Sequence, residues 1–188
     1  MLSRRVAPGW ILTIVGVIAA VLALDTWIVS PYRVSSASME PTLHCARDTP
    51  NCLAGSSDGV LANRIVYHFR SPRRGDVVVV RLPPAAERRC GSAGTVVKRL
   101  IGLPGETVSE RNGFVSIDGR PLDEPYIDLF RRDHEPPRAW DVPRGEYFFM
   151  GDNRADSCDS RLVGSIPRKR IVGEAVAIYW PPHRIGFL

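Results

Sequence analysis

The feature that most constrains this chain is a long apolar run near its N-terminus. Residues 9–29 read GWILTIVGVIAAVLALDTWIV and contain one charged residue, Asp25, close to the far end. As an α-helix the run would extend about 31 Å, which is enough to cross the hydrocarbon core of a bilayer. Trp10 and Trp27 stand near its two ends, where interfacial aromatic side chains are common. The sequence therefore predicts a transmembrane anchor, with a cleaved secretory signal as the alternative.

The charges around this run predict its orientation. Arg4 and Arg5 precede it, and the positive-inside rule places such an N-terminus in the cytoplasm. Residues 30–188 are then expected on the extracytoplasmic side of the plasma membrane. The net charge is +5, and the arginines are spread over loops and mixed with acids. This pattern favours a surface near anionic lipid, and it does not indicate nucleic-acid binding.

The part of the chain after the apolar run is predicted to be mainly β. Segments rich in β-branched and aromatic residues recur along it, at 59–69, 77–80, 95–103, 107–109, 114–117, 147–150 and 170–180. The dipeptide Asn112-Gly113 is a strong hairpin signal. Residues 83–94 and 131–140 are expected to be loops, because both are polar and contain proline. We therefore expect an antiparallel β-sheet domain behind one membrane helix.

The 4 cysteines indicate an oxidising compartment for this domain. Cys45 and Cys52 bracket a turn-rich segment and are the candidates for a local disulfide. Cys90 and Cys158 are then a second pair or free thiols, and the sequence alone does not choose the connectivity. A zinc site that includes His44 is the alternative, but the CxxC and HxxxH spacings of such sites are missing. No metal and no cofactor are expected.

Two separated stretches predict a reactive hydroxyl and a base. Residues 36–43 read SASMEPTL, and Pro41 disfavours a helix there, so an extended segment or turn with an exposed hydroxyl is expected. Lys98 lies in a strand candidate and shares one face with Val96 and Leu100. A lysine on an apolar face has a lowered pKa, and its neutral amine can take a proton from a hydroxyl. The alternative is a lysine that reaches the surface or pairs with an acid.

A dense polar run directly follows the apolar strand candidate at 147–150. It covers residues 151–161 and reads GDNRADSCDSR. Ser157 offers a hydroxyl that can orient an amine, and Asp159 with Arg161 offers a pair of opposite charges that can brace the loop. A solvated loop without function is the alternative for this composition.

Taken together, residues 36–43, 75–78, 98–106 and 151–161 resemble the bacterial type I signal peptidases. These are membrane-anchored Ser/Lys endopeptidases, and the four stretches stand in the order of that family's motifs. The resemblance implies a signal-peptidase-like complex β fold with a small inserted β subdomain at residues 105–145. The protease domain would then comprise 30–104 and 146–188, behind a cytoplasmic N-terminus and anchor at 1–29.

The same resemblance implies roles for individual residues. Ser38 would be the nucleophile and neutral Lys98 its general base, a known variant of triad chemistry. Ser157 would orient the Lys98 amine, and the Ser38 N–H with the Ser36 hydroxyl would form the oxyanion hole. Structural support is expected from Asp76, Asp152, Arg154, Asp159 and Arg161.

The expected substrates are the signal peptides of exported preproteins, cut after Ala-x-Ala-like sequences. Membrane lipid and the secretion machinery are the expected neighbours, and nucleic acid is not. One alternative is an anchored β domain with an inactive site that only binds exported chains. Another is a Ser-His site that uses His44, but the sequence places no obvious acid to orient that imidazole.

Overall fold

The computed structural model describes residues 10–17, 28–91 and 94–188. Residues 10–17 are helical. Within these three ranges no helix is both long enough and apolar enough to cross a bilayer. The anchor predicted at 9–29 lies for the larger part outside the described residues, so it stays a prediction.

The described chain is built mainly from short strands. They are β1 (Val29–Arg33), β2 (Gly59–Asn63), β3 (Val77–Arg81), β4 (Thr95–Gly102), β5 (Thr107–Arg111), β6 (Phe114–Ile117), β7 (Arg120–Pro121), β8 (Arg138–Asp141), β9 (Glu146–Met150), β10 (Ile166–Pro167), β11 (Ile171–Trp180) and β12 (Gly186–Phe187). The α-helices that follow β1 are α1 (Val66–Phe69), α2 (Pro84–Cys90) and α3 (Ser160–Val163). Single 3₁₀ turns lie at Ala37–Met39, Leu129–Arg131, Arg154–Asp156, Arg168–Arg170 and Pro182–Arg184.

The strands form two antiparallel sheets. The larger sheet has the order β1-β2-β11-β3-β4-β9-β10, with β12 beside β11. Strand β3 lies near its centre, and its valines are buried on both faces. Val77 and Val79 pack in one apolar cluster, and Val78 and Val80 pack in another. The expectation of a mainly β, antiparallel fold is confirmed, since apolar residues cover both faces of this sheet.

The smaller sheet has the order β7-β6-β5-β8. It packs on the larger sheet through a third apolar cluster, in which Val108 and Val115 meet Ile101 and Phe148. Its strands lie within residues 105–145, where the sequence predicts an inserted subdomain. The division of the chain into domains stays a prediction.

Three local predictions are wrong. The strand predicted at 59–69 ends at Asn63, because the Asn63 Oδ1 accepts hydrogen bonds from the N–H groups of Ile65 and Val66, each 3.1 Å away, and turns the chain into α1. The loop predicted at 83–94 contains α2, which begins at a proline and ends before Gly91 in a left-handed conformation. Proline is tolerated in the first helical turn, and glycine is the common C-terminal cap.

The third wrong prediction is the loop at 131–140. Its last residues belong to β8, which pairs with β5 from Asp141 opposite Thr107 to Arg138 opposite Glu110. Strand pairing in the folded chain therefore overrides the polar and proline-rich composition of this segment.

Candidate active site

The stretch that carries Ser38 is held by the polar run at 151–161. Ser38 lies in the 3₁₀ turn Ala37–Met39 that follows β1, and it is buried. The Asn153 N–H donates to the Ser38 carbonyl at 3.1 Å, and the Asn153 side-chain amide donates to the Ala37 carbonyl at 3.2 Å. The Ser38 hydroxyl lies 3.1 Å from the Ser36 hydroxyl. The two serines of the predicted site therefore point to the same place.

Lys98 is the buried amine of this region. It lies in β4 opposite Val78, and only 4% of the residue is exposed. Its Nζ donates a hydrogen bond to the Ser157 Oγ at 3.1 Å. Desolvation lowers the pKa of Lys98 to about 8; the Asp159 carboxylate acts against this shift, and Arg161 adds to it. The neutral amine is therefore well populated at mildly alkaline pH, which suits a general base.

Gly151 lies where these stretches meet. A Cβ at this position would collide with the Ser157 side chain and with the Ser38 carbonyl oxygen, so a glycine is needed here. The backbones of Ser38 and Gly151 and the side chain of Ser157 are therefore in close contact. The Ser38 hydroxyl is hydrogen-bonded to the Ser36 hydroxyl, whereas the Lys98 amine is hydrogen-bonded to Ser157. The structure thus brings the two predicted reactive groups into one region without a hydrogen bond between them.

An open strand edge runs past this region. Strand β9 pairs with β4 at Arg99, Leu100 and Gly102, so residues 95–98 are not paired with β9. A cleft of about 300 Å³ lies beside this part of β4. Its lining comprises Tyr32, Arg33, Val34, Ser35, Ser36, Ser38, Met39, Gly91, Thr95, Val96 and Val97. An extended peptide can pair with such an edge through its backbone.

Asp152 connects three parts of the site. The Arg99 guanidinium donates to both of its carboxylate oxygens, at 2.8 Å and 2.6 Å, and the Thr42 hydroxyl donates at 2.5 Å. The Asp152 side chain is fully buried. Removing one partner of such a buried ion pair strongly lowers the stability of the fold, because the other charge is left without compensation. Asp152 therefore ties the Ser38 stretch and β4 to the polar run.

Asp159 and Arg161 brace the same loop. Asp159 accepts hydrogen bonds from the Gly151 N–H at 3.0 Å and from the Arg161 guanidinium at 2.9 Å. Burial alone would raise the pKa of Asp159, but Arg161 and then Lys98 hold this pKa below its usual value. The residue therefore stays a carboxylate, and it fixes the Gly151 backbone beside Ser157.

Three acids outside the motifs hold the arginines of the polar run, and sequence reasoning missed them. Glu124 is buried and pairs with Arg154, whose Nε donates to the Gly151 carbonyl at 2.9 Å. Glu110 and Asp133 both contact the Arg161 guanidinium. These acids come from the region of the smaller sheet, distant in sequence from residues 151–161, so no local pattern could have revealed them.

Asp76 accepts hydrogen bonds from three groups that precede β3 in the chain. Its Oδ2 accepts hydrogen bonds from the Tyr67 hydroxyl at 3.0 Å, from Arg70 at 2.8 Å and from the Arg73 N–H at 2.9 Å. Burial raises the pKa of Tyr67 well above its usual value, and the Asp76 carboxylate adds to this shift. Asp76 thus braces the turn before β3. The neighbouring Gly75 is nearer to the site, because its carbonyl accepts from Arg99 at 2.9 Å.

The expectation that no acid orients His44 is wrong. Glu40 is buried, and its Oε2 lies 3.0 Å from the His44 Nδ1. The chain turns between these two residues, and this turn brings their side chains together. The Ser38 hydroxyl, however, has its hydrogen bond with Ser36. The pair of Glu40 and His44 therefore does not form a triad with Ser38 in this structure.

The four cysteines form two disulfides in the structure. One joins Cys45 to Cys52, and the other joins Cys90 to Cys158. Neither Cys45 nor Cys52 therefore offers a thiolate to zinc. Among the described residues, no group of three or more histidine, cysteine or acidic side chains is placed to hold a metal ion. The second disulfide links α2 to the polar run, next to Ser157.

Comparison with known proteins gives consistent matches. The sequence model of the family described as "Signal peptidase, peptidase S26" matches residues 8–180. A signal peptidase I of Leptolyngbya laminosa is 37% identical over 89% of this chain and 76% of its own length. A probable signal peptidase I-1 of Synechocystis sp. is 36% identical over 91% of this chain and 82% of its own length. A solved signal peptidase I of Enterococcus faecalis aligns with 31% identity and a TM-score of 0.46, covering 56% of this chain and 97% of that one.

Proposed function

Because this chain belongs to the signal peptidase family, peptidase S26, we propose that it cleaves signal peptides from exported preproteins with Ser38 and Lys98. Membership of this family makes the chain a serine protease, a hydrolase. The observation that carries the residue-level proposal is the buried Lys98 amine, hydrogen-bonded to Ser157 beside the turn that holds Ser38.

The first step is attack by the Ser38 hydroxyl on the scissile carbonyl carbon. The new C–O bond forms as the hydroxyl proton passes to the neutral Lys98 amine. Ser157 holds that amine by its hydrogen bond, and the lowered pKa of Lys98 keeps part of it neutral. The Ser38 hydroxyl would turn from Ser36 toward the Lys98 amine, since catalytic hydrogen bonds often form fully only when substrate binds.

The tetrahedral intermediate carries its negative charge on the former carbonyl oxygen. The Ser38 N–H lies in the first turn of a short helix, where N–H groups lack intrahelical partners. The Ser36 hydroxyl does not cap that helix and lies 3.1 Å from the Ser38 hydroxyl. Both groups can therefore donate to the developing oxyanion.

The remaining steps release the two products. The Lys98 ammonium gives its proton to the leaving amine as the C–N bond breaks, which frees the mature protein and leaves an ester on Ser38. Lys98, neutral again, then takes a proton from water as the water attacks this ester. Collapse of the second intermediate returns the proton to Ser38 and releases the signal peptide.

The substrate would pair along the open edge of β4 at residues 95–98. The cleft there is small and partly apolar, with Val34, Val96 and Val97 in its lining. Small side chains two residues apart fit such a lining, because alternate residues of an extended peptide face the same side. This geometry supports a preference for Ala-x-Ala-like sites.

The proposed setting is the extracytoplasmic face of the plasma membrane. The run at 9–29 would anchor the chain with its N-terminus in the cytoplasm, and β1 begins at Val29, directly where that run ends. Ser38 would then lie a few residues from the bilayer, near the secretion machinery and the emerging preprotein. The smaller sheet would be an inserted subdomain whose acids steady the polar run.

Cleavage of a precursor with an Ala-x-Ala site, by the full chain in detergent, tests this proposal. Wild type is expected to cut it, and Ser38→Ala and Lys98→Ala are expected to be inactive while keeping the wild-type circular dichroism spectrum. Binding of the precursor without cleavage by wild type would instead favour an inactive binding domain. Full activity of Lys98→Ala would refute the assignment of the base.

A further inference from the structure

A large basic cavity lies outside the proposed active site. It has a volume of about 1200 Å³ and opens between α1 and the turn Arg168–Arg170. Its cationic lining consists of Arg64, Arg81, Arg168, Lys169 and Arg170, with His68 beside them. Ile65, Pro72, Ile171 and Val172 add apolar surface. We call this cavity the basic groove. Of the described residues that line it, none is acidic.

Two arginines of the basic groove, Arg168 and Arg170, donate side-chain hydrogen bonds to oxygens that carry no charge. Arg168 donates to the Tyr67 carbonyl at 2.8 Å and to the Tyr147 hydroxyl at 3.3 Å. Arg170 donates to the Leu82 carbonyl at 3.2 Å. These hydrogen bonds orient the guanidinium groups and leave their positive charge uncompensated. Preoriented guanidinium groups with spare donors suit phosphate oxygens.

The position of the basic groove indicates that a phosphate group bound there would belong to a membrane lipid. The Arg64 N–H donates to the Ile28 carbonyl at 2.8 Å, and Asn63 pairs with Val29. The groove therefore adjoins the point where the apolar run at 9–29 ends. If that run is the anchor proposed above, on which this step rests, the groove lies at the level of the lipid headgroups.

We propose that the basic groove binds the phosphate headgroup of an anionic phospholipid. The arginines and Lys169 would contact the phosphodiester, and Ile65, Ile171 and Val172 would contact the glycerol and the first methylene groups. A free phosphate ion would use the cations and leave the apolar lining bare. Lipid bound here would fix the orientation of the exported domain on the bilayer. It would thereby also fix the height of the peptide cleft above the bilayer surface.

Binding of short-chain lipids to the full chain in a neutral detergent tests this proposal. Calorimetry would compare dihexanoyl-phosphatidylglycerol with dihexanoyl-phosphatidylcholine and with inorganic phosphate. The variant Arg81→Gln/Lys169→Gln removes two exposed charges from the groove, and Arg111→Gln/Arg120→Gln removes two exposed charges from the smaller sheet. Each lost groove charge is expected to weaken phosphatidylglycerol binding about fivefold, hence about 25-fold for the pair. The control should change affinity less than about twofold.

Three results would overturn the proposal. They are equal losses in both double variants, phosphate binding as tight as phosphatidylglycerol binding, and equal binding of the neutral lipid. Flotation of the full chain with pure phosphatidylcholine vesicles tests the anchor separately, and both double variants should float like wild type. Precursor cleavage reports on the proposed function, because neither variant alters Ser38 or Lys98. A failed anchor or an inactive protease is therefore distinguishable from a groove that does not bind lipid.

Discussion

The two lysines of this chain, Lys98 and Lys169, stand in opposite surroundings. Lys98 is buried in the larger sheet, with a hydroxyl as its hydrogen-bond partner and with its pKa lowered by desolvation. Lys169 is exposed on a 3₁₀ turn among arginines, at the rim of the basic groove. The same side chain is thus a candidate base in one place and a candidate anion ligand in the other. Solvent access decides which chemistry an amine can supply.

The largest expected effect comes from replacing each lysine by arginine. Arginine keeps the positive charge, but it does not deprotonate in proteins, so it cannot act as a base. Lys98→Arg is expected to lower kcat/KM for an Ala-x-Ala precursor by at least about 10⁴-fold. Lys169→Arg should retain wild-type cleavage and lipid affinity within about twofold. Wild-type activity in Lys98→Arg would contradict the assignment of Lys98 as the base, and with it the chemical difference between the two lysines.

The next effect concerns the oxyanion that forms beside Lys98. Ser36→Ala is expected to lower kcat by about 10²- to 10³-fold with little change in KM, because the lost hydrogen bond forms only in the transition state. Ser36→Thr keeps a hydroxyl at the same position, so it is the matched control and should retain most of the activity. Single-turnover cleavage separates the two constants. Equal losses in both variants would assign the effect to the shape of the loop.

The buried lysine should also cost stability, whereas the exposed one should not. The pKa of Lys98 is lowered from 10.5 to about 8, so the unfolded chain binds the proton more tightly. The resulting loss in the free energy of unfolding is complete below pH 8 and disappears above pH 10.5. Lys98→Met should therefore raise the free energy of unfolding by about 3 kcal/mol at pH 7 and by less than about 1 kcal/mol at pH 10. Lys169→Met should stay within about 0.5 kcal/mol of wild type in the same urea titrations.

The smallest expected effect concerns the hydroxyl that holds the Lys98 amine. Ser157→Ala removes the 3.1 Å hydrogen bond and leaves the amine free to rotate. We expect kcat to fall by about 10- to 100-fold, since only part of the acid–base contribution is lost. Ser71→Ala, on an exposed loop, should have no effect. An unchanged kcat in Ser157→Ala would mean that packing alone orients Lys98.

Much of the larger sheet could be predicted from its residues. The valines of β3 and the apolar residues of β9 and β11 have strong strand preferences, and the structure has strands there. The short helices α1 and α2 were missed, since four to seven residues carry too little periodicity to show. A single capping side chain, Asn63, decides where β2 ends.

The site was predictable where it consists of local stretches, and it was not where distant residues meet. Ser36, Ser38, Lys98 and Ser157 stand in recognisable sequence contexts. The contact of Asn153 with the Ala37 carbonyl spans 116 residues, and the pair of Arg154 and Glu124 spans 30. Such partners are chosen by strand order and by the packing of the two sheets, so no pattern along the chain encodes them.

The pH dependence of kcat/KM, measured for the full chain on an Ala-x-Ala precursor, tests the central claim most directly. If a neutral Lys98 with a pKa of about 8 is the base, activity should rise about tenfold per pH unit from pH 5 to 7 and level off above pH 8. A profile that stays flat down to pH 5, in a protein that remains folded, would contradict it.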